Sequence, residues 1–188
     1  MAEKLFVGSQ QLLEDSVRLG LQIIKSGFRP DFIVGIWRGG TPVGIAVQEL
    51  MEFYKFKTDH IAIRTSAYEG IEKMGRAVRV HGLNYFVRTA NADDSLLIVD
   101  DIYDTGLSIN AVLETMKEKM RRNLPSEIKI ATVYYKPANN KTNRTPDFFV
   151  HETDRWVVFP HELKDLSDEE MKKGKPELYR IIQEAKIP

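Results

Sequence analysis

Short apolar runs alternate with amphipathic stretches along most of the chain, a pattern that predicts alternating strands and helices. A first helix is predicted after Ser9, because apolar residues recur there at helical spacing as far as Ile24. The run Leu96–Val99 is the clearest buried strand, since it is continuously apolar. The predicted strands are Phe32–Ile36, His60–Ile63, Tyr85–Val87, Leu96–Val99, Ile128–Tyr134, Phe148–Val150 and Trp156–Phe159.

Capping residues mark where the later helices begin. Thr41 and Pro42 predict a capped helix with a first-turn proline. Ser167 and Glu170 form a capping-box pattern, and Pro176 suits the start of the last helix. The face of the helix that follows Leu96–Val99 is predicted to carry Ile109, Val112, Leu113, Met116 and Met120.

Strands that alternate with helices at short spacing predict an α/β protein, with a mostly parallel twisted sheet flanked by helices. Ligands of such sheets bind beyond the carboxyl ends of the strands. We expect residues 1–136 to form this core and residues 137–188 to form a small cap subdomain over the sheet edge. The segment Ser66–Gly82 mixes glycines with charges of both signs, which predicts a long mobile loop.

Composition narrows the class of partner. The chain has 188 residues, no cysteine, and 27 basic against 27 acidic residues, so its formal net charge is zero. A neutral chain is not expected to bind a nucleic-acid backbone or an anionic membrane surface. The lack of cysteine and of any long apolar run favours a cytoplasmic protein.

The segment that follows Leu96–Val99 has the composition of an anion site. Asp100, Asp101 and Asp104 stand beside Thr105 and the glycine and hydroxyl residues that open the next helix. Backbone amides and the positive end of a helix dipole attract a phosphate group at such a place. Neither a Walker loop nor a Gly-x-Gly-x-x-Gly fingerprint is present, so nucleotide-triphosphate and dinucleotide sites are disfavoured.

Residues Leu97 to Ser108, LIVDDIYDTGLS, resemble the ribose-phosphate motif of type I phosphoribosyltransferases. The resemblance implies that Asp100 and Asp101 hold the ribose hydroxyls of phosphoribosyl pyrophosphate, directly or through Mg²⁺. It also implies a turn that receives the 5-phosphate. The residues of this turn are Thr105, Gly106, Leu107 and Ser108.

Asp104 points to one group within that family. The hypoxanthine, guanine and xanthine enzymes carry an aspartate at this place, whereas the orotate and adenine enzymes carry other residues. An aspartate suits a purine whose imidazole nitrogen must lose or share a proton during the transfer, so the resemblance implies that Asp104 is the catalytic residue. The competing interpretation is that Asp104 only caps the helix.

Two further segments resemble the 6-oxopurine enzymes. The turn Arg38-Gly39 follows the first strand, and in those enzymes the turn at this place binds pyrophosphate. Lys136 follows a later strand, and in those enzymes a lysine at this place reaches the exocyclic oxygen of the base. Taken alone, glycines after a strand serve only the turn, and a lysine at a strand end is most often solvated.

The remaining resemblances lie in a lid and a base-binding segment. Ser66 and Tyr68 resemble the start of the flexible loop that closes over the reacting centre, although a surface loop without function is also compatible. Trp156 resembles the aromatic residue that stacks on the purine in this family, and the resemblance places the backbone of Val157 at the edge of the purine. The alternative interpretation is that Trp156 is an ordinary core residue. Glu162 stands near the place of a further Mg²⁺ ligand.

Together these features predict a purine salvage enzyme that joins hypoxanthine, guanine or xanthine to phosphoribosyl pyrophosphate, with Mg²⁺ as cofactor. The family implies a homodimer or homotetramer. Two alternatives stay open at this point. One is a non-enzymatic regulator with the same fold that senses phosphoribosyl pyrophosphate or a nucleotide, and the other is a transferase for another base, such as orotate or adenine.

Overall fold

Strands and helices alternate through most of the computed structural model, which describes residues 4–68 and 77–185 of the chain. The strands are β1 (Lys4–Phe6), β2 (Phe32–Trp37), β3 (Asp59–Tyr68), β4 (Ala77–His81), β5 (Ser95–Tyr103), β6 (Glu127–Tyr135), β7 (Phe148–Glu152) and β8 (Trp156–Val158). The α-helices are α1 (Ser9–Lys25), α2 (Gly40–Phe53), α3 (Asn84–Thr89), α4 (Leu107–Met120), α5 (Asp168–Gly174) and α6 (Pro176–Glu184). The chain divides into a larger unit, Gln10–Asp154, and a smaller one, Met1–Ser9 with Arg155–Pro188.

The larger unit is built on a six-stranded sheet in the order β4-β3-β2-β5-β6-β7. Every pairing in this sheet is parallel except the one between β3 and β4. The central strand β5 lies between β2 and β6, and its residues Leu96–Val99 are fully buried. Continuous apolar runs are typical of strands that are covered on both faces. The predicted α/β class with a mostly parallel sheet is confirmed.

Helix α4 packs against one face of this sheet through the side chains that its periodicity predicts. Ile109, Val112, Met116 and Met120 are buried in one cluster with residues of the central strands, and Leu113 is partly buried against it. Burial of each such side chain contributes about 1.5–3 kcal/mol. This packing fixes the N-terminus of α4 directly beyond the end of β5. Among the helices of the described residues, none has the length and apolar composition needed to cross a membrane.

The predicted strand Tyr85–Val87 is wrong, because these residues lie in helix α3. Phe86 is fully buried and packs edge-on against Phe32, with 5.3 Å between the ring centroids. Tyr85 is exposed, and its hydroxyl donates to the carboxylate of Asp59. A three-residue apolar run is too short to show a period, so the packing of Phe86 decides the structure here.

The segment Ser66–Gly82, predicted as a mobile loop, forms a β-hairpin in its described parts. Strand β3 continues to Tyr68, and β4 pairs with it in antiparallel fashion, with Arg64 opposite His81. The loop prediction is therefore wrong for these residues, since backbone pairing does not require an apolar pattern. Residues 69–76, the middle of the predicted loop, lie outside the described residues.

Helix α2 begins at Gly40 and not after a Thr41 cap. Gly39 occupies the capping position without a side-chain hydrogen bond. Within residues 4–68 and 77–185, the buried hydroxyl of Thr41 finds no hydrogen-bond partner. The capping prediction for Thr41 is wrong, because the backbone at Gly39 and Gly40 approaches β5 so closely that the helix starts there.

In the smaller unit, β1 pairs in parallel with β8, and Lys4 lies opposite Trp156. Strand β1 was not predicted, because it has only three residues. The capping box of α5 is confirmed: Ser167 accepts the N–H of Glu170, and the Glu170 side chain accepts the N–H of Ser167. Lys4 pairs with Glu170 at 2.6 Å and ties β1 to this helix.

The division between the units differs from the predicted one at residue 136. Strand β7 pairs with β6, with Ala131 opposite Phe148, so residues 137–154 belong to the larger unit. The N-terminal residues join the C-terminal segment because β1 pairs with β8. Strand pairing therefore places residues 137–154 in the larger unit and the N-terminal residues in the smaller one.

Candidate active site

The ends of β2 and β5 bring two polar turns together. These strands are parallel neighbours with Gly35 opposite Val99, so the turns after them lie side by side. At Gly39 there is no room for a side chain, because an added Cβ would collide with the carboxylate of Asp101. The peptide bond between Trp37 and Arg38 is cis. The predicted pyrophosphate turn and the acidic pair therefore meet in one place.

The turn between β5 and α4 joins the central strand to the N-terminus of a helix. Gly106 has φ of +76°, and an added Cβ there would collide with the Tyr103 hydroxyl, so the turn requires glycine. In the part of the chain that the structure describes, the N–H groups of Thr105, Gly106 and Ser108 donate to no protein acceptor. Free amides at the start of a 14-residue helix form a site for a phosphate group.

A cavity of about 210 Å³ lies over this turn. Two of the predicted acidic residues, Asp100 and Asp104, line this cavity together with the phosphate turn. The lining residues are Asp100, Ile102, Tyr103, Asp104, Thr105, Gly106, Ser108 and Ile109. Asp104 thus faces the same space as the free amides.

Two residues from the end of β6 hold the carboxylate of Asp104. Asn139 donates its side-chain amide to Oδ1 at 2.8 Å, and Lys136 places its Nζ 3.5 Å from Oδ2. Lys136 is only 6% exposed, whereas the side chain of Asp104 is 43% exposed. Helix α4 has Gly106 in its capping position and no side-chain cap. The interpretation of Asp104 as a mere helix cap is therefore wrong.

Burial raises the pKa of Asp100 well above its usual range, and the neighbouring charge of Asp101 adds to this shift. Hydrogen bonds from the backbone at Asp101 and Gly40 act in the opposite direction but are outweighed. A cation or a hydroxyl donor that binds between two neighbouring carboxylates stabilises their ionised form. Oxygen ligands of this kind suit Mg²⁺.

The other predicted residues of the larger unit lie on neighbouring strands. Arg38 is exposed in the turn after β2. Ser66 lies in β3, beside β2, and its hydroxyl is 3.1 Å from Nε2 of His81. Tyr68 is the last residue of β3. The predicted start of the lid is thus part of a paired strand.

Three other predicted site residues, Trp156, Val157 and Glu162, belong to the smaller unit. Trp156 is 61% exposed, so its interpretation as a core residue is wrong, and Val157 is buried behind it. Glu162 accepts the N–H of Phe159 at 3.1 Å through one carboxylate oxygen. Their predicted roles toward the purine and Mg²⁺ stay predictions.

Asn139 is the residue of this site that the sequence did not indicate. It lies in a short 3₁₀ turn, Pro137–Asn139, directly after Lys136. An asparagine in a polar loop carries no signal of its own, because turns favour this residue for their backbone alone. Only the contact with Asp104 distinguishes it.

Comparison with known proteins agrees with this geometry. The family model described as phosphoribosyl transferase domain matches residues 8–168, and the chain belongs to this family. A hypoxanthine-guanine phosphoribosyltransferase of Lactococcus lactis is 28% identical over 148 residues, which make up 78% of this chain and 74% of the relative.

Solved structures of similar proteins share the fold over nearly the whole chain. A purine phosphoribosyltransferase from Pyrococcus horikoshii matches with a TM-score of 0.63 at 27% identity, over 87% of this chain and 97% of its own. A xanthine-guanine-hypoxanthine phosphoribosyltransferase from Helicobacter pylori matches with a TM-score of 0.63 at 20% identity, over 84% and 92% of the two chains. The second match shows the fold alone.

Proposed function

We propose that this protein is a purine salvage enzyme that transfers the phosphoribosyl group of phosphoribosyl pyrophosphate to a 6-oxopurine. The products are the nucleoside 5′-monophosphate and pyrophosphate. One observation carries the proposal: a turn with free amides shares a cavity with Asp104, which lies beside Lys136. The names of its purine-specific relatives support the same substrate class.

The sugar phosphate binds at the ends of β5 and β2. Its 5-phosphate accepts the N–H groups of the turn from Thr105 to Ser108, where the α4 dipole adds attraction. Its ribose hydroxyls donate to Asp100 and Asp101, and its pyrophosphate lies near Arg38-Gly39. Several anchors then hold the anomeric carbon in place, which removes much of the entropic cost of the reaction.

The base enters beside Lys136, whose ammonium donates to the 6-oxygen. One imidazole nitrogen forms a bond to the anomeric carbon while the bond from that carbon to pyrophosphate breaks. The proton of the base passes to Oδ2 of Asp104. Arg38 offsets charge on the leaving group. Stacking on Trp156, contact with the Val157 backbone and closure of the segment that begins at Ser66 and Tyr68 belong to the proposal by resemblance.

The acidic pair fits Mg²⁺, because Asp100 and Asp101 are adjacent carboxylates at the end of β5 and carboxylate oxygens are the ligands that this ion prefers. The described residues include no group of three or more His, Asp or Glu side chains placed to hold a metal. Mg²⁺ held by Asp100 and Asp101 would therefore take further ligands from the substrate and water. Bound Mg²⁺ would offset charge on the pyrophosphate. Glu162 is proposed as a further ligand by resemblance only.

Release of pyrophosphate tests the function when hypoxanthine, guanine, xanthine, adenine and orotate are offered separately with phosphoribosyl pyrophosphate and Mg²⁺. We expect turnover with at least one 6-oxopurine and little with adenine or orotate. Turnover with orotate or adenine alone would assign a different transferase, and no turnover with any base would favour a non-enzymatic regulator.

We also propose that the protein is a homodimer or homotetramer in the cytoplasm.

Lys136→Ala is expected to raise the KM for hypoxanthine or guanine about tenfold to a hundredfold, since a hydrogen bond from a charged group contributes about 1.5–3 kcal/mol. Any residual turnover with adenine should change much less, because adenine has no 6-oxygen. Steady-state kinetics with each base measure this difference.

Lys141→Ala is the matched control, because Lys141 is exposed in the same loop and contacts Thr105 only through its backbone N–H. It should leave both KM values unchanged. An equal loss for adenine and hypoxanthine in Lys136→Ala would contradict the role of Lys136 at the 6-oxygen.

A further inference from the structure

The carboxylate of Asp104 has two oxygens in different surroundings. Oδ1 accepts the side-chain amide of Asn139 at 2.8 Å, within the range of a good hydrogen bond. Oδ2 lies 3.5 Å from the ammonium of Lys136, a longer contact that leaves room for another partner. Asp104 also lines the cavity over the phosphate turn. The two oxygens are therefore not equivalent for a base that enters the site.

The backbone places Asn139 at this point with little freedom. The N–H of Lys136 donates to the carbonyl of Tyr103 at 2.9 Å, which extends the pairing of β5 with β6 by one step. Pro137 is the first residue of a 3₁₀ turn, in which the N–H of Asn139 donates to the carbonyl of Lys136 at 3.2 Å. The proline fixes its own φ and so limits the motion of the turn.

The loop beyond Asn139 is tied to the phosphate turn. The N–H of Lys141 donates to the carbonyl of Thr105 at 3.0 Å. The hydroxyl of Tyr103 lies 2.9 Å from Oγ1 of Thr142 and donates to the carbonyl of Arg144 at 2.9 Å. Asn139 is thus held from both sides by contacts with the segment that carries Asp104.

We infer that Asn139 is a positioning residue for the transfer reaction: its amide fixes the Asp104 carboxylate so that Oδ2 faces the proton of the incoming purine. This inference rests on the proposed function. A neutral amide holds one oxygen without adding charge, whereas a second cation there would compete for the proton acceptor.

Asn139→Ala is expected to lower kcat with a 6-oxopurine about tenfold, the size of one lost hydrogen bond to a charged group. The KM for phosphoribosyl pyrophosphate should change by less than about twofold, because the phosphate turn and the acidic pair are untouched. The lower kcat beside an unchanged KM is the readout, because a residue with a merely structural role would not separate the two.

Asn139→Asp provides a second variant of nearly the same shape. It removes the amide donor and places a like charge against Asp104, so kcat should fall further than in Asn139→Ala while the KM for phosphoribosyl pyrophosphate stays within about twofold. A residue with a merely structural role would change thermal stability and would not lower kcat in this order with that KM unchanged.

Asn143→Ala is the matched control, because Asn143 is exposed in the same loop and makes no hydrogen bond to the described residues. The control should keep the kcat and the KM of the parent. If the parent enzyme is active and Asn139→Ala matches Asn143→Ala in kcat, the inference is overturned while the proposed function stands. If the parent transfers phosphoribose to no 6-oxopurine, the proposed function itself fails.

Discussion

Asp104→Asn is expected to lower kcat with a 6-oxopurine roughly ten- to a thousandfold, while the KM for phosphoribosyl pyrophosphate stays within about twofold. Asparagine matches aspartate in size, so the cavity and the turn keep their shape. Its amide cannot accept the proton of the base at Oδ2, and the charge that favours proton transfer is lost.

The expected separation of kcat from KM follows from where the contacts lie. In the proposed complex, the 5-phosphate accepts the N–H groups of Thr105, Gly106 and Ser108, which are backbone groups that the substitution does not alter. The proposal assigns the ribose hydroxyls to Asp100 and Asp101. Because Asp104 is proposed to act only while the base reacts, its loss should affect the transition state and not the binding of the sugar.

Steady-state kinetics with hypoxanthine or guanine, together with direct binding of phosphoribosyl pyrophosphate, check this result. Asp93→Asn is a suitable control, because Asp93 is exposed in the turn before β5 and should leave kcat unchanged. An unchanged kcat in Asp104→Asn would remove the proton-accepting role. Weakened sugar-phosphate binding with an unchanged kcat would instead place Asp104 among the binding residues.

The central strand of the sheet and the phosphate turn could be predicted from the sequence because local residues indicate both. Leu96–Val99 is apolar at every position and fully buried, as is typical of a strand that is covered on both faces. Gly106 lies between this strand and the next helix, where the backbone has a positive φ that glycine adopts without strain. The family resemblance lies in the same residues.

Features that depend on distant contacts could not be predicted in this way. Phe86 lies in a helix and packs on Phe32, and this contact between distant residues could not be predicted from the sequence around either one. Strand β1 exists because β8 pairs with it from the other end of the chain. The contact of Asn139 with Asp104 likewise depends on how β6 aligns with β5, which the residues of one loop do not specify.

Asp100→Asn is expected to stabilise the folded protein at neutral pH and to weaken binding of the sugar substrate at the same time. A carboxyl whose pKa is higher in the folded than in the unfolded chain contributes stability that is fully present below the unfolded pKa, about 3.9, and is lost as the pH rises through the folded pKa. Burial and Asp101 raise the pKa of Asp100 in this way. Asparagine does not ionise and avoids that loss.

Thermal unfolding of Asp100→Asn and the parent across the pH range measures this effect. The variant should melt at a higher temperature than the parent at pH 7–8, by about 2–4 °C for each kcal/mol regained in a chain of this size. The advantage should shrink as the pH falls and vanish below about pH 4, where the parent carboxyl is protonated in both states. An advantage that grows toward acid pH would contradict the assigned direction of the pKa shift.

The same substitution should raise the KM for phosphoribosyl pyrophosphate by about tenfold or more, because the proposal assigns this carboxylate to the ribose hydroxyls and to Mg²⁺. Added Mg²⁺ and phosphoribosyl pyrophosphate should then raise the melting temperature of the parent clearly and that of Asp100→Asn only slightly. In the proposed complex, the substrate and Mg²⁺ compensate the ionised carboxylate of Asp100, so binding should stabilise the parent more than the variant. Equal stabilisation of both proteins by the substrate would show that the acidic pair has no part in holding it.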